Sequence, residues 1–155
     1  MTTHSFSTRS APPLDLERVR TEAIRARAAF ETGPLPEQLP HFPRGACRRS
    51  SLALAAHLRH RGLGEWELCT GVRQEDSYTL THAWLERGGV LLDITADQFH
   101  TYGLPLRAGP VLLGTDRSWH AQFGCPNRHP AVPFEGDLPT LAVTAWLTDA
   151  LYAGE

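Results

Sequence analysis

The chain predicts a single α+β domain. Apolar residues recur at helical spacing in three stretches, one at each end of the chain and one around residue 50. The strand-like segments gather between residues 66 and 113 instead of alternating with helices, the pattern of an α+β fold. A length of 155 residues supports one sizeable core and is short for two.

Each element follows from local chemistry. Residues 1–13 are polar and end in Ala11-Pro12-Pro13, so a flexible tail is expected there and the domain is expected over 14–155. Leu16, Val19, Ala23, Ile24 and Ala28 give Leu14 to Phe30 a helical stripe; Asp15 caps its start and Gly33-Pro34 ends it. Pro34, Pro36, Pro40 and Pro43 make 33–45 an extended connector. A second helix is predicted from Ala46 or Cys47 to His60, with Gly62 as its stop and Arg59 and Arg61 near its negative end. Strands are expected at Trp66–Val72, Thr79–Glu86, Val90–Thr95 and Val111–Leu113, with a hairpin turn around Arg87-Gly88-Gly89. Residues 115–138 read as loop, rich in Gly and Pro, and Leu141–Tyr152 as the closing helix.

Composition excludes several functions. All 15 basic residues are Arg, and against 17 acids they leave a net charge of −2, which points to neither a nucleic-acid nor a membrane partner. With no Lys, a lysine nucleophile is impossible. Cys47, Cys69 and Cys125 are odd in number and lack CxxC spacing, which argues against a disulfide framework and a zinc ribbon. The segment MTTHSFSTRSAPP has no apolar signal core and no run reaches membrane-span length, so a reducing cytoplasm is the expected compartment. No HExxH or phosphate loop is present, so no metal and no cofactor are expected.

Cys47 is placed in the first turn of the second helix, where the helix N-terminus favours a thiolate and free amides can hold an oxyanion. Gly45 just before it permits close backbone approach. The other reading of Cys47 is a buried structural thiol; Cys69 reads as core and Cys125 as loop. In the hairpin, a loop with an even number of residues sets Arg87 opposite Val90 and makes His82 and Asp93 diagonal neighbours on one face. A three-residue loop separates them. Asp93 interrupts the apolar run Val90–Ile94, a costly place for a carboxylate unless it is paired. Its alternative is a strand-end Asp in solvent.

These residues carry a resemblance. Arg44-Gly45-Ala46-Cys47 opening a helix, His82-Ala83-Trp84-Leu85-Glu86 on a strand, and Leu92-Asp93-Ile94-Thr95 on the next resemble the transglutaminase-like branch of papain-fold cysteine enzymes. Lasso-peptide leader peptidases and arylamine N-acetyltransferases share a related arrangement, and LDITADQF (92–99) resembles an uncharacterised bacterial group of that superfamily. The resemblance spans residues 42–99. It implies a papain-like core, with a Cys-bearing helix packed on an antiparallel sheet that bears the His and the Asp. It also implies Cys47 as nucleophile, His82 as base and Asp93 as orienting acid. The chain departs from the family in places: Arg48-Arg49-Ser50-Ser51 does not match the acetyltransferase signature, and no EF-hand calcium loop occurs. Gln38, nine residues before Cys47, is the weak counterpart of an oxyanion Gln. Asp97 and Gln98 are read as turn residues in preference to lining of a substrate cleft, His57 and His60 as lying far from Cys47, and His100, His120 and His129 as loop residues.

The expectation is a cysteine-dependent enzyme that acts on an amide or acyl bond of a peptide, protein or small substrate through a thioester. Hydrolysis is favoured because water needs no dedicated pocket. An acyltransferase with the same triad, or a non-catalytic module on the same frame, are the rivals.

Overall fold

The computed structural model describes residues 13–106 and 109–153; the expected tail thus lies outside the described residues except for Pro13. Helix α1 (Leu16–Thr32) begins as expected, with Asp15 Oδ1 accepting from the Arg18 N–H at 3.2 Å, and Gly33 ends it. Helix α2 (Cys47–His60) closes in a left-handed Gly62, whose N–H reaches the Arg59 carbonyl while that of Leu63 reaches Leu58. The last helix, α3, spans Leu138–Tyr152. It starts three residues earlier than its apolar pattern suggests, because Asp137 caps the Thr140 N–H and Pro139 suits a first turn.

Strands β1 (Glu67–Gln74), β2 (Thr79–Arg87), β3 (Val90–Asp93), β4 (Leu112–Gly114) and β5 (Asn127–Pro130) form one antiparallel sheet in the order β4-β3-β2-β1-β5. β5 lies in a stretch that the sequence predicts as loop. Its sequence Asn-Arg-His-Pro is exposed throughout, so it has no apolar alternation to read, and an edge position tolerates its Pro. β3 stops at Asp93, short of the expected Thr95. There Asp93 Oδ1 accepts the Thr95 N–H at 2.9 Å, which turns the chain into a 3₁₀ helix over Ala96–Tyr102. A second 3₁₀ helix covers His120–Phe123.

Side-chain alternation splits the core in two. Leu68, Ala83, Leu85 and Leu92 face the helices, and Cys69, Leu80, Trp84 and Leu91 face Phe99, Leu104 and Phe123. Helix α2 is buried nearly all round, from Ser50 to Ala55 on several faces, because α1 and α3 flank it above the sheet. α2 and α3 run parallel: Arg48 pairs with Asp137 at one end, and His57 and His60 meet Tyr152 at the other. The sequence-predicted architecture, a Cys-bearing helix on an antiparallel sheet, is the one observed. No helix among the described residues is long and apolar enough to cross a membrane.

Candidate active site

Cys47 is the first residue of α2, half-buried, after Gly45 at φ +67°. A Cβ at Gly45 would meet nothing within 4 Å, so this glycine is required by its left-handed backbone and not by close packing. The Gly45 N–H donates to Gln98 Oε1 at 3.3 Å, and Gln98 Nε2 donates to the Thr95 carbonyl at 3.0 Å. Gln98 therefore ties the turn before Cys47 to the turn after Asp93, a link that sequence reading treated as a simple turn residue. Asp97 is structural: it holds the buried Arg27 guanidinium with both oxygens, at 2.8 and 2.7 Å. Gln38 meets α2 through its backbone, its carbonyl accepting from Arg49 Nη1 at 3.1 Å.

The hairpin takes the even-loop register, with Arg87 opposite Val90 and Leu85 opposite Leu92. His82 and Asp93 accordingly share the sheet face that turns away from the helices. His82 Nε2 lies 2.6 Å from Asp93 Oδ2, and both side chains are wholly buried. The β2–β3 ladder ends at Leu85–Leu92, before it reaches Ala83. At this opening Cys47, from the helix side, interacts with the Ala83 N–H and with His82. Because Asp93 occupies Nε2 and Nδ1 has no hydrogen-bond partner, Nδ1 is the nitrogen left for the sulfur.

Electrostatics favour charge separation across this pair. Burial opposes the Cys47 thiolate, but the neighbouring His82 ring with its positive charge and the Ala83 amide outweigh burial and lower the thiol pKa. Burial likewise opposes the His82 imidazolium. The Asp93 charge and hydrogen bond overcome it and push the ring up to about 9. Asp93, fully buried, is held well below the usual carboxylate range by the His82 charge and by hydrogen bonds from His120 and His82.

His120 is the residue that sequence reading missed. It is buried, and its Nε2 lies 2.6 Å from the same Asp93 Oδ2. The available signal was Trp119-His120 followed by Phe123, an aromatic spacing of one short helical turn inside a Gly- and Pro-rich stretch. Arg117 and Arg128 both grip the buried Glu86 carboxylate on β2 and dock this segment on the sheet. His57 pairs with Glu22 at 2.5 Å, and His100 accepts from the Leu106 N–H. Cys69 is buried, and burial followed by the Glu86 charge pushes its thiol up to about 12, while Cys125 is exposed.

Ligand-type atoms of His82, Asp93 and His120 fall within 4.8 Å of one another. Both ring nitrogens sit at hydrogen-bond distance from one oxygen, and the three side chains are closed in by Trp84, Phe99, Trp119 and Phe123. Two ring nitrogens at 2.6 Å from one carboxylate oxygen is the geometry of a hydrogen-bonded set. A cleft of about 650 Å³ opens beside His120 at the β3–β4 edge, but neither Cys47 nor His82 lines it.

The family model of the transglutaminase-like superfamily matches residues 4–103, a span that holds Cys47, His82 and Asp93 and stops before His120. No curated protein and no solved structure matches the chain.

Proposed function

The chain belongs to the transglutaminase-like superfamily, and from that premise we propose that it is a cysteine-dependent enzyme that cleaves an amide or related acyl bond through a thioester on Cys47. The observation that carries this reading is the hydrogen bond of 2.6 Å between His82 Nε2 and a buried Asp93, which leaves the other ring nitrogen to the sulfur at a helix tip.

The steps follow from the groups present. Asp93 fixes the His82 ring with Nε2 protonated, so Nδ1 accepts the thiol proton and leaves Cys47 as thiolate. The sulfur adds to the substrate carbonyl carbon. The backbone N–H of Cys47, free of an intrahelical partner in the first turn, faces the oxyanion. His82 then gives its Nδ1 proton to the departing nitrogen as the C–N bond breaks, and the thioester remains. Water attacks the thioester carbonyl carbon while His82 Nδ1 takes a proton from that water; the C–S bond then breaks, the carboxylic acid leaves, and Cys47 is restored as the thiolate beside the His82 imidazolium. Hydrolysis is the simplest outcome, because water is always present to resolve the thioester. The substrate class is a peptide, a protein or a small amide.

A generic acyl donor tests the reading without knowledge of the natural substrate. Incubation with p-nitrophenyl acetate is expected to place an acetyl group on the Cys47 peptide. Hydroxylamine should remove it, and the Cys47→Ala protein should release p-nitrophenolate only at the background rate. Acetylation confined to the exposed Cys125, with Cys47 unmodified, would end the proposal.

A further inference from the structure

We propose that His120 is a positioning residue of this site: a second imidazole that shares with His82 one oxygen of Asp93, so that the working unit is a Cys47–His82–Asp93–His120 relay. The inference rests on the cysteine-enzyme reading and extends it to a residue beyond the family match, which ends at 103.

Every hydrogen bond on Asp93 has an identified donor. Oδ1 accepts the Thr95 N–H at 2.9 Å, and Oδ2 accepts from His82 Nε2 and His120 Nε2 at 2.6 Å each. An ionised carboxylate only accepts, so both rings must carry their proton on Nε2. Asp93 therefore sets the tautomer of His120 as it sets that of His82. The two rings are nearly parallel, 27° apart with centroids at 5.9 Å, and His120 is packed against Trp84 and Trp119 at 4.8 Å each.

The fold is shaped to bring this ring in. Gly71 on β1 lies directly opposite His82, and a Cβ there would come within 2.7 Å of the Phe123 Cβ and carbonyl oxygen. The sheet is thus bare where the 3₁₀ helix bearing His120 lies on it, and the Glu86 contacts with Arg117 and Arg128 hold both flanks of that helix. A residue serving only to fill an aromatic box needs no nitrogen. The one here is aimed at the carboxylate that orients the base.

The chemical consequence has a sign. The His120 N–H on Oδ2 takes up part of the carboxylate's charge, so Asp93 pulls less strongly on His82 and the ring can still surrender its proton to a leaving group. Removing that donor while keeping the ring volume, as in His120→Phe, leaves the charge to His82 alone and tightens the imidazolium–thiolate pair. His120→Gln keeps an N–H at a similar reach. The titratable and charged groups around the site are Cys47 from α2, His82 and Glu86 from β2, Asp93 from β3, Arg117 and the exposed Asp116 ahead of the 3₁₀ helix and Arg128 from β5, and both variants leave all of them in place.

The test is the pH profile of Cys47 alkylation by iodoacetamide in the full chain, read peptide by peptide, for wild type, His120→Phe and His120→Gln. The wild-type midpoint is expected well below the free-thiol value of about 8.5. It should move lower by about half a unit or more in His120→Phe and return toward wild type in His120→Gln, a pattern that a loss of packing alone does not produce. A His120→Phe midpoint equal to wild type, an upward move, or equal shifts in the two variants each overturn the proposal while the cysteine-enzyme reading stands. A wild-type midpoint at the free-thiol value overturns both.

Discussion

Replacing Asp93 by Asn tests the electrostatic core of the site. The amide is isosteric, and its oxygen can still accept the Thr95 N–H, but its NH2 then faces the Nε2–H groups of His82 and His120, two donors against a donor. The His82 ring must change tautomer, which puts a proton on Nδ1, the nitrogen that has to receive one from the sulfur. At the same time the charge that holds the ring up to about 9 disappears while its burial remains, so its pKa falls below the ordinary 6.5. That fall is worth roughly 3 kcal/mol, or at least about 100-fold in the imidazolium–thiolate population near neutral pH. The population is read directly as ultraviolet thiolate absorbance, titrated against the Cys47→Ala protein as blank. Wild type should show a thiolate plateau from acidic to neutral pH; Asp93→Asn should show none until alkaline pH, with the native circular dichroism retained. Superimposable titrations of the two proteins would refute the claim that Asp93 governs the pair.

Two further expectations concern stability. Asp93 is held below the usual carboxylate range by His82 and His120, so the native state binds its proton less readily than the unfolded chain. Its contribution is complete above about pH 4 and is lost as pH falls below that, so the melting temperature of wild type should drop more steeply in acid than that of Asp93→Asn, by up to one proton's worth of slope. Glu86→Gln removes the charge that Arg117 and Arg128 share, and because those guanidiniums are 41% and 40% exposed the expected cost is only about 1–2 kcal/mol in urea unfolding. The same variant should loosen the segment that carries His120 and shift Cys47 alkylation in the direction of His120→Phe; a change in stability with no change in alkylation would show that the two features are independent.

Much of this molecule is legible in local chemistry. Asp15, Gly33 and Gly62 bound two helices because caps and stops act within a few residues. Arg87-Gly88-Gly89-Val90 sets the hairpin register through turn geometry, and that register alone puts His82 and Asp93 on one face. Cys47 at a helix start is likewise a local fact. Local signals fail where a segment is held only by its partners. Asn127–Pro130 is a strand because β1 has an open edge, and nothing in its own residues prefers extended structure.

What the sequence by itself determined is therefore the set of elements and the face of the hairpin on which His82 and Asp93 lie, because both depend on dihedral preferences and a period of two along the strand. Tertiary structure alone decided that the sulfur from one side of the sheet meets a ring on the other. At that meeting the β2–β3 ladder has already ended, at Leu85–Leu92, and the start of α2 is tied in place by Gln98 and Asp137. It also decided that His120, 27 residues beyond Asp93, closes on the same oxygen. A buried carboxylate draws in whichever donors packing delivers, and that delivery runs through Gly71, Glu86 and two distant arginines.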